Sequence, residues 1–269
     1  MIKLIHGLSE EEKFKVIRPL LGDHILDQYN MPVIHRTSEE QIDFENMIPV
    51  GIQNLTTKEN NSKKLVLPFN YDKNLLKYWN DPMKYIPRFQ SVMAIGTPDY
   101  SVYPGMNKNE IQHNVFMSRW LGCLWQSYQC IVLPVISWWG EDTYDICFSG
   151  IEKGSIVIIS TLGCRENPEI FLNGFNEMKN RISPPLIIVY GNMLDGMTGR
   201  FINIKYTETS VYKGYKQDKI EMRGDRAEMS DFPLYLNTVA GGLDRRDQTI
   251  GGFSFVVKIY ALPVVEIIG

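Results

Sequence analysis

Residues 91–191 contain four short apolar runs, each followed by polar residues or glycine: SVMAIG at 91–96, IVLPVIS at 131–137, SIVIIS at 155–160 and LIIVY at 186–190. Amphipathic helical patterns at 108–128 and 168–181 alternate with these runs. β-Branched runs separated by helices are typical of parallel strands in an α/β fold. Such folds place functional sites at the carboxyl ends of their strands. The sequence therefore predicts a mostly parallel α/β core with a site at that edge.

Two further strand candidates precede this stretch, at 48–52 and 65–69. Six strands alternating with helices are compatible with an incomplete (β/α) barrel or with an open doubly wound sheet. We favour the barrel-like arrangement because polar residues follow nearly every strand instead of collecting at one switch point. Pro134 lies inside one strand pattern and predicts a bulge or an edge position there.

The chain divides by pattern into three segments. Residues 1–44 read as an N-terminal helical segment, 45–192 as the α/β core and 193–269 as a β-rich C-terminal extension. In the extension, glycine is frequent and strand patterns occur at 201–206, 253–260 and 264–268. We expect these last strands to be antiparallel.

Composition narrows the class of protein. The chain has 269 residues, 44% of them hydrophobic, and a net charge of -3. This charge gives no global basic field for nucleic acid, although a local basic groove stays open. No apolar run approaches the roughly 20 residues of a membrane span. The four cysteines are too widely spaced for a CxxC motif and read as free thiols, which indicates a soluble, cytoplasmic protein.

The first candidate site lies directly after the run at 91–96. Asp99 is a carboxylate behind an apolar strand, where it suits a general base, a metal ligand or a hydroxyl anchor. Thr97 and Ser101 flank it, and Tyr103 follows at the rim as a further substrate-binding candidate. The competing interpretation is that Asp99 caps a local turn.

The second candidate site follows the run at 131–137. Trp138 could stack on a planar ring, and Asp142 and Asp145 add carboxylates that we group with Asp99 as catalytic candidates. The competing interpretation is that the tryptophan closes the core. Arg119, on the helix at 108–128, could pair with a carboxylate such as Asp99 or with substrate.

Two further strand ends supply binding candidates. Thr161 begins a short turn before a helix, where backbone amides could hold an anion. Tyr190 ends the last run and would line the same site. The motifs GxxxxGK[ST], GxGxxG, GxSxG and HExxH are all missing from the sequence, so familiar nucleotide-binding, serine-hydrolase and zinc-protease classes are not supported.

Several longer motifs follow one another along the chain: TPDYSVY at 97–103, RWLGCLWQ at 119–126, SW at 137–138, the block at 145–163, FLNGFNEM at 171–178 and YG at 190–191. Their order resembles the bacterial and phage family called domain of unknown function 4417, over roughly residues 45–192. The family is uncharacterised, so the resemblance implies a phage or mobile-element origin and no particular reaction. Upstream, FNYD at 69–72 is similar to the family's first motif, with Asn70 where an aspartate is expected.

Three functions remain open from the sequence. The first is a hydrolase or transferase acting on a phosphate-bearing or nucleotide-like substrate, for which Mg²⁺ would be a suitable metal. The second is a non-catalytic binding protein of a phage or mobile element that recognises a host protein or nucleic acid. The third is a structural protein of a particle. A small molecule or a nucleic acid is the expected partner and a membrane is not, and the sequence sets no oligomeric state.

Overall fold

A computed structural model describes residues 7–164 and 166–209. The predicted strands at 253–260 and 264–268 lie outside these residues. The division of the chain into segments 1–44, 45–192 and 193–269 stays a prediction.

Eight strands run through the described residues, and each is parallel to its neighbours. They form two four-stranded sheets, and within each sheet the spatial order equals the chain order. The predicted parallel α/β class is therefore confirmed. The strands are β1 (Ile48–Gly51), β2 (Lys64–Leu67), β3 (Ala94–Gly96), β4 (Val132–Leu133), β5 (Val135–Ile136), β6 (Val157–Ser160), β7 (Ile187–Tyr190) and β8 (Phe201–Ile204).

The two sheets meet at Pro134, which alone separates β4 from β5. Proline has no N–H to give to a backbone ladder, so the ladder cannot run through it. Thr97 bridges the gap: its N–H donates to Leu133 O at 3.0 Å, and its Oγ1 accepts from Val135 N at 2.9 Å. The proline thus breaks the strand pattern into β4, at the edge of one sheet, and β5, at the edge of the other, in agreement with the edge position that the sequence predicted.

Seven helices occur in the described residues, and α4 is the longest. Its start is capped by the Asn107 side chain, which accepts from Asn109 N. No described helix combines the length and the apolar character that crossing a membrane requires. The helices are α1 (Glu10–Ile17), α2 (Asp72–Asn80), α3 (Ile86–Phe89), α4 (Lys108–Ser127), α5 (Tyr144–Cys147), α6 (Pro168–Ile182) and α7 (Tyr206–Thr209).

The strand array is strongly curled. Phe69, just after β2, stacks on Tyr190 at the end of β7, with ring centroids 4.6 Å apart and planes at 6°. If β4 and β5 count as one interrupted strand, these residues are four strand spacings apart, or roughly 19 Å in a flat sheet. Their contact therefore requires the sheets to curve toward each other.

Side chains, not a backbone ladder, join the first strand region to the last. Arg200 forms two hydrogen bonds with Glu39, at 2.7 and 3.0 Å. Asn54 Nδ2 donates to Thr209 O at 3.0 Å. Among the described residues, β1 and β8 do not pair, so the barrel is not closed. A doubly wound sheet would reverse its strand order at a switch point, so the sequential order supports the incomplete-barrel alternative.

The inner face of the curled array forms its own apolar core. Alternate residues of the strands, such as Leu65, Val135, Ile158 and Ile188, are buried together there. The residues between them are buried on the opposite face of the strands, in the cores that the helices cover. Burial of both faces explains why the strand sequences are almost wholly apolar. This core supports the strand ends on which the candidate site lies.

The strand at Phe201–Ile204 corrects one prediction. We expected it to be antiparallel, but it pairs parallel to β7. The connection at 191–200 is ten residues long, and an extended chain of that length reaches about 33 Å. This length lets the chain run back past a four-residue strand without a helix, so β8 can start at the same end as β7 and run parallel to it.

Candidate functional site

Asp99 lies beyond the carboxyl end of β3 and faces the end of β5. Ser137 Oγ donates a hydrogen bond to Asp99 Oδ1 at 2.5 Å. Burial first and the negative charge of Asp72 second raise the pKa of Asp99, to about 6, against the lowering effect of the Ser137 hydrogen bond and the Arg119 charge. A carboxyl group with this pKa exchanges its proton near neutral pH.

Asp72 is a second carboxylate at the same edge, on the first residue of α2 after β2. Its oxygens accept from Ser101 N at 3.2 and 3.3 Å and from Ser101 Oγ at 3.0 Å. Burial raises the pKa of Asp72, and the Ser101 hydrogen bonds oppose that effect. The charge of Asp72 therefore acts on Asp99 across neighbouring strand ends. We call Asp72, Asp99, Ser101 and Ser137 the strand-end cluster.

The loop after β3 is held in place by its own polar contacts. Asn114 Nδ2, on α4, donates to Ser101 O at 2.8 Å. Ser101 Oγ and Tyr103 Oη are 3.0 Å apart, and Tyr103 is 49% exposed. The predicted binding residues Ser101 and Tyr103 are thus brought to the cluster, with Tyr103 at its solvent side.

Arg119 lies beneath the cluster and is only 1% exposed. Its guanidinium donates to three backbone carbonyls: Ser149 O at 3.0 Å, Val135 O at 3.1 Å and Cys147 O at 2.8 Å. Burial lowers its pKa to about 10, which leaves it charged at neutral pH. We predicted an ion pair between Arg119 and Asp99. In the structure the guanidinium instead connects backbone segments, and its positive charge lowers the pKa of Asp99 without a hydrogen bond to it.

The two predicted threonines hold strands together. Thr97 is fully buried and bridges β3 to β5, and Ser118 Oγ on α4 donates to its hydroxyl at 3.1 Å. Thr161 Oγ1 donates to Asn192 O at 2.7 Å, which joins the ends of β6 and β7. Both hydroxyls are therefore engaged by the protein itself.

Tyr190 is the last residue of β7, and Cys164 follows the end of β6. The Tyr190 ring stacks on Phe69, and Thr209 Oγ1 donates to the Tyr190 hydroxyl at 2.7 Å. Burial raises the pKa of the Cys164 thiol to about 11, and the charge of Asp99 contributes to the rise. This thiol is therefore protonated at neutral pH and lies within the electrostatic range of Asp99.

The second candidate site is not assembled at the cluster. Trp138 stacks on Phe171 of α6 at 5.1 Å, and Gly174 of the same helix approaches its indole so closely that no Cβ would fit. Asp142 is exposed beside Lys108, with 3.5 Å between Oδ2 and Nζ. Asp145 is exposed and accepts from Arg181 Nη1 at 2.7 Å. These three residues serve helix packing and surface ion pairs.

Sequence reasoning missed Asp72 and Ser137 as members of the cluster. Asp72 stands shortly after the strand pattern at 65–69 and Ser137 is the last residue of the pattern at 131–137, so both lie at strand ends as Asp99 does. The signal that could have found them is this shared placement, because carboxyl ends of parallel strands meet at one edge.

The donor set at the cluster is small for a metal ion. Among the described residues, no group of three or more histidine, cysteine, aspartate or glutamate side chains is placed to hold a metal. Two carboxylates are nevertheless a common protein contribution to Mg²⁺, which takes its other ligands from water and substrate phosphates. Asp72 and Asp99 are the residues that could supply them.

The fold and the cluster define a parallel α/β protein with an incomplete barrel and carboxylates at its strand ends. The chain belongs to the family described as Domain of unknown function (DUF4417), which matches residues 25–208. The resemblance seen in the sequence motifs is thereby confirmed, over a longer range than the motifs covered.

Two curated relatives carry the name "Gene 1 protein", from Mycobacterium phages D29 and L5. Each is 39% identical over 118 residues, which are 43% of this chain. The same stretch covers 44% of the D29 protein and 52% of the L5 protein, so the match spans about half the length of these relatives. No solved structure matches the chain.

Proposed function

We propose that the strand-end cluster is an active site in which Asp99 transfers a proton during hydrolysis or group transfer on a phosphate-bearing substrate. The observation that carries this proposal is the pairing of two partly buried carboxylates at the ends of β2 and β3, with the pKa of Asp99 raised to about 6. Active sites are where burial and like charges commonly shift a carboxyl pKa toward neutrality.

The charge balance of the cluster supports a cation as co-ligand. Asp72 receives hydrogen bonds from neutral Ser101, and Asp99 receives one from neutral Ser137. The buried guanidinium of Arg119 donates its hydrogen bonds to backbone carbonyls and not to either carboxylate. A divalent cation would relieve the repulsion between the two carboxylates and connect them to a phosphate group. We therefore propose Mg²⁺ as the metal, bound together with substrate.

The placement of the cluster supports substrate access. It lies at the carboxyl ends of parallel strands, where α/β proteins bind small molecules. Tyr103 stands at the solvent side, and Phe69 with Tyr190 forms an apolar wall across the curled array. Nucleotides and sugar phosphates combine a phosphate with a ring that such a wall can contact.

Thermal unfolding of the full chain tests the site. The panel contains nucleotides, sugar phosphates and short oligonucleotides, each with and without Mg²⁺ or Mn²⁺. A ligand at about 100 times its Kd adds roughly 2.7 kcal/mol to the free energy of unfolding. We expect a phosphate-bearing compound to raise Tm only with the divalent cation, and the rise to shrink as pH falls below about 6, because protonated Asp99 no longer binds a cation.

Matched variants assign the effect to the cluster. Asp99→Asn and Asp72→Asn should abolish the ligand-induced rise in Tm, whereas Asp145→Asn, at an exposed surface ion pair, should retain it. Phosphorus NMR of the stabilising ligand then reports turnover. A rise in Tm that persists in Asp99→Asn contradicts the site, and a bound ligand that is never converted points to the non-catalytic binding protein instead.

A further inference from the structure

Residues 71–88 form a cationic and aromatic surface on α2, α3 and their connection. Lys73, Lys77 and Lys84 are all exposed. Lys77 Nζ and Lys84 Nζ lie 6.0 and 5.8 Å from the centre of the same ring, that of Tyr85. Lys73 Nζ lies 5.7 Å from the ring of Tyr71, which is 47% exposed. We call these five residues the α2–α3 surface.

The acidic residues of this segment face other elements. The carboxylate of Asp72 accepts from Ser101 in the strand-end cluster. Asp81 Oδ1 lies 3.8 Å from Lys15 Nζ on α1. The three lysines of the α2–α3 surface therefore present positive charge that their own segment does not neutralise, although the whole chain has a net charge of -3.

The Tyr85 ring is held by core residues and lies near two of the cations. Tyr85 makes an edge contact with Tyr78 at 4.8 Å and stacks on Phe89 at 6.4 Å, both of them buried core residues. A ring held in this way offers a base a stacking platform with no loss of side-chain freedom, and flanking ammonium groups can contact the phosphates on either side. Alternating cations and rings are the chemistry by which proteins hold single-stranded nucleic acid.

We infer that the α2–α3 surface binds single-stranded nucleic acid. Its lysines contact the phosphates, and the Tyr85 ring contacts a base. This binding goes beyond the proposed function and does not require it, because none of the three lysines belongs to the strand-end cluster. Since Asp72 is the first residue of α2, a strand bound here would lie next to that cluster.

Fluorescence anisotropy of a labelled oligothymidylate of about 16 nucleotides tests the inference. The titration contains a chelator and no Mg²⁺, so that the proposed metal chemistry cannot contribute. With three phosphate contacts, log Kd should rise with log salt with a slope of about 2 between about 50 and 200 mM. The Lys77→Glu/Lys84→Glu double variant should weaken binding by about tenfold or more.

The matched control is Lys58→Glu/Lys153→Glu, which makes the same change in net charge at exposed lysines elsewhere. It should leave the Kd within about twofold. Equal weakening by both double variants would show a non-specific charge effect and overturn the inference, as would no binding at the lowest salt. Polyglutamate that competes as well as unlabelled oligothymidylate would assign the surface to an acidic protein instead.

Two further measurements separate this inference from the proposed function. Tyr85→Leu keeps an apolar side chain against Phe89 and should weaken binding of the single strand more than binding of a duplex of equal length. Asp99→Asn should bind the oligonucleotide as the unmodified chain does. Loss of binding in Asp99→Asn would show that the cluster, not the α2–α3 surface, holds the strand.

Discussion

At the scale of single residues, Asp99 is a carboxyl group whose surroundings disfavour its ordinary charged form. It is partly buried beside a second carboxylate, and its Oδ1 accepts a hydrogen bond from a neutral hydroxyl, that of Ser137. Such a residue costs stability, which proteins commonly accept at functional sites. The loss of folding stability caused by charged Asp99 can therefore be measured, and it tests the environment described for this residue.

We predict that Asp99→Asn is more stable than the unmodified chain at pH 7, by on the order of 2 kcal/mol. Between about pH 4 and 6, the unfolded chain releases the Asp99 proton while the folded chain, with a pKa of about 6, retains it. Stability from this group therefore falls as pH rises through that window, and asparagine, which stays neutral, avoids the loss. The difference in Tm should vanish near pH 4.

Asp145→Asn serves as the control, with the opposite sign. The Arg181 hydrogen bond lowers the pKa of Asp145, so its charged form is favoured in the folded state. This variant should be the less stable one at neutral pH, and its deficit should fade as acid protonates Asp145 in the unmodified chain. A destabilised Asp99→Asn at pH 7 would contradict the environment described for Asp99.

At the scale of elements, the joint between the two sheets depends on one side chain. Pro134 removes an N–H from the ladder, and Thr97 Oγ1 accepts from the next free donor, Val135 N. The same hydroxyl accepts from Ser118 of α4, so one atom connects two strands and a helix. The position of the β3 end, and with it Asp99, follows from this contact.

We predict that Thr97→Val lowers the free energy of unfolding by about 1–3 kcal/mol, because the isosteric change leaves the buried Val135 N–H without an acceptor. Denaturant unfolding measures the loss. Thr57→Val, in an exposed loop, is the matched control and should change stability by less than about 0.5 kcal/mol. If the two variants are equally stable, the contact between the two sheets does not depend on the Thr97 hydroxyl.

At the scale of the whole molecule, the curl of the strand array decides which strand ends meet. Phe69 and Tyr190 are far apart in sequence and in strand order, yet their rings stack at 4.6 Å. Arg200–Glu39 and Asn54–Thr209 join the two outer regions at other points. The incomplete barrel is therefore held by side-chain contacts where its backbone ladder is missing.

A double-mutant cycle of Phe69→Leu with Tyr190→Leu tests the curl. We expect a coupling energy of about 0.5–1.5 kcal/mol in the free energy of unfolding, as for stacked aromatic pairs. The control cycle pairs Phe69→Leu with Phe175→Leu on α6, whose ring packs on Phe171, and should show coupling below about 0.5 kcal/mol. Zero coupling in the first cycle would contradict the contact that the curl produces.

The local sequence determined the elements and the edge on which the site lies. Six apolar runs predicted β1–β7 within a few residues, with β4 and β5 inside one run. The amphipathic pattern at 108–128 predicted α4, and polar residues after the strands pointed to Asp99. These properties depend on short-range periodicity and on residues adjacent in the chain, so they are readable without tertiary contacts. The family motifs are equally local.

Only the tertiary structure decided which of the candidates stand together. It joined Asp99 to Asp72 and Ser137, set Arg119 on backbone carbonyls and packed Trp138 against α6. The direction of β8 and the contact of Phe69 with Tyr190 likewise follow from how the sheets curl to bury one inner face. The curvature results from small twists between neighbouring strands and from the packing of side chains across the whole array. No single stretch of sequence therefore encodes it.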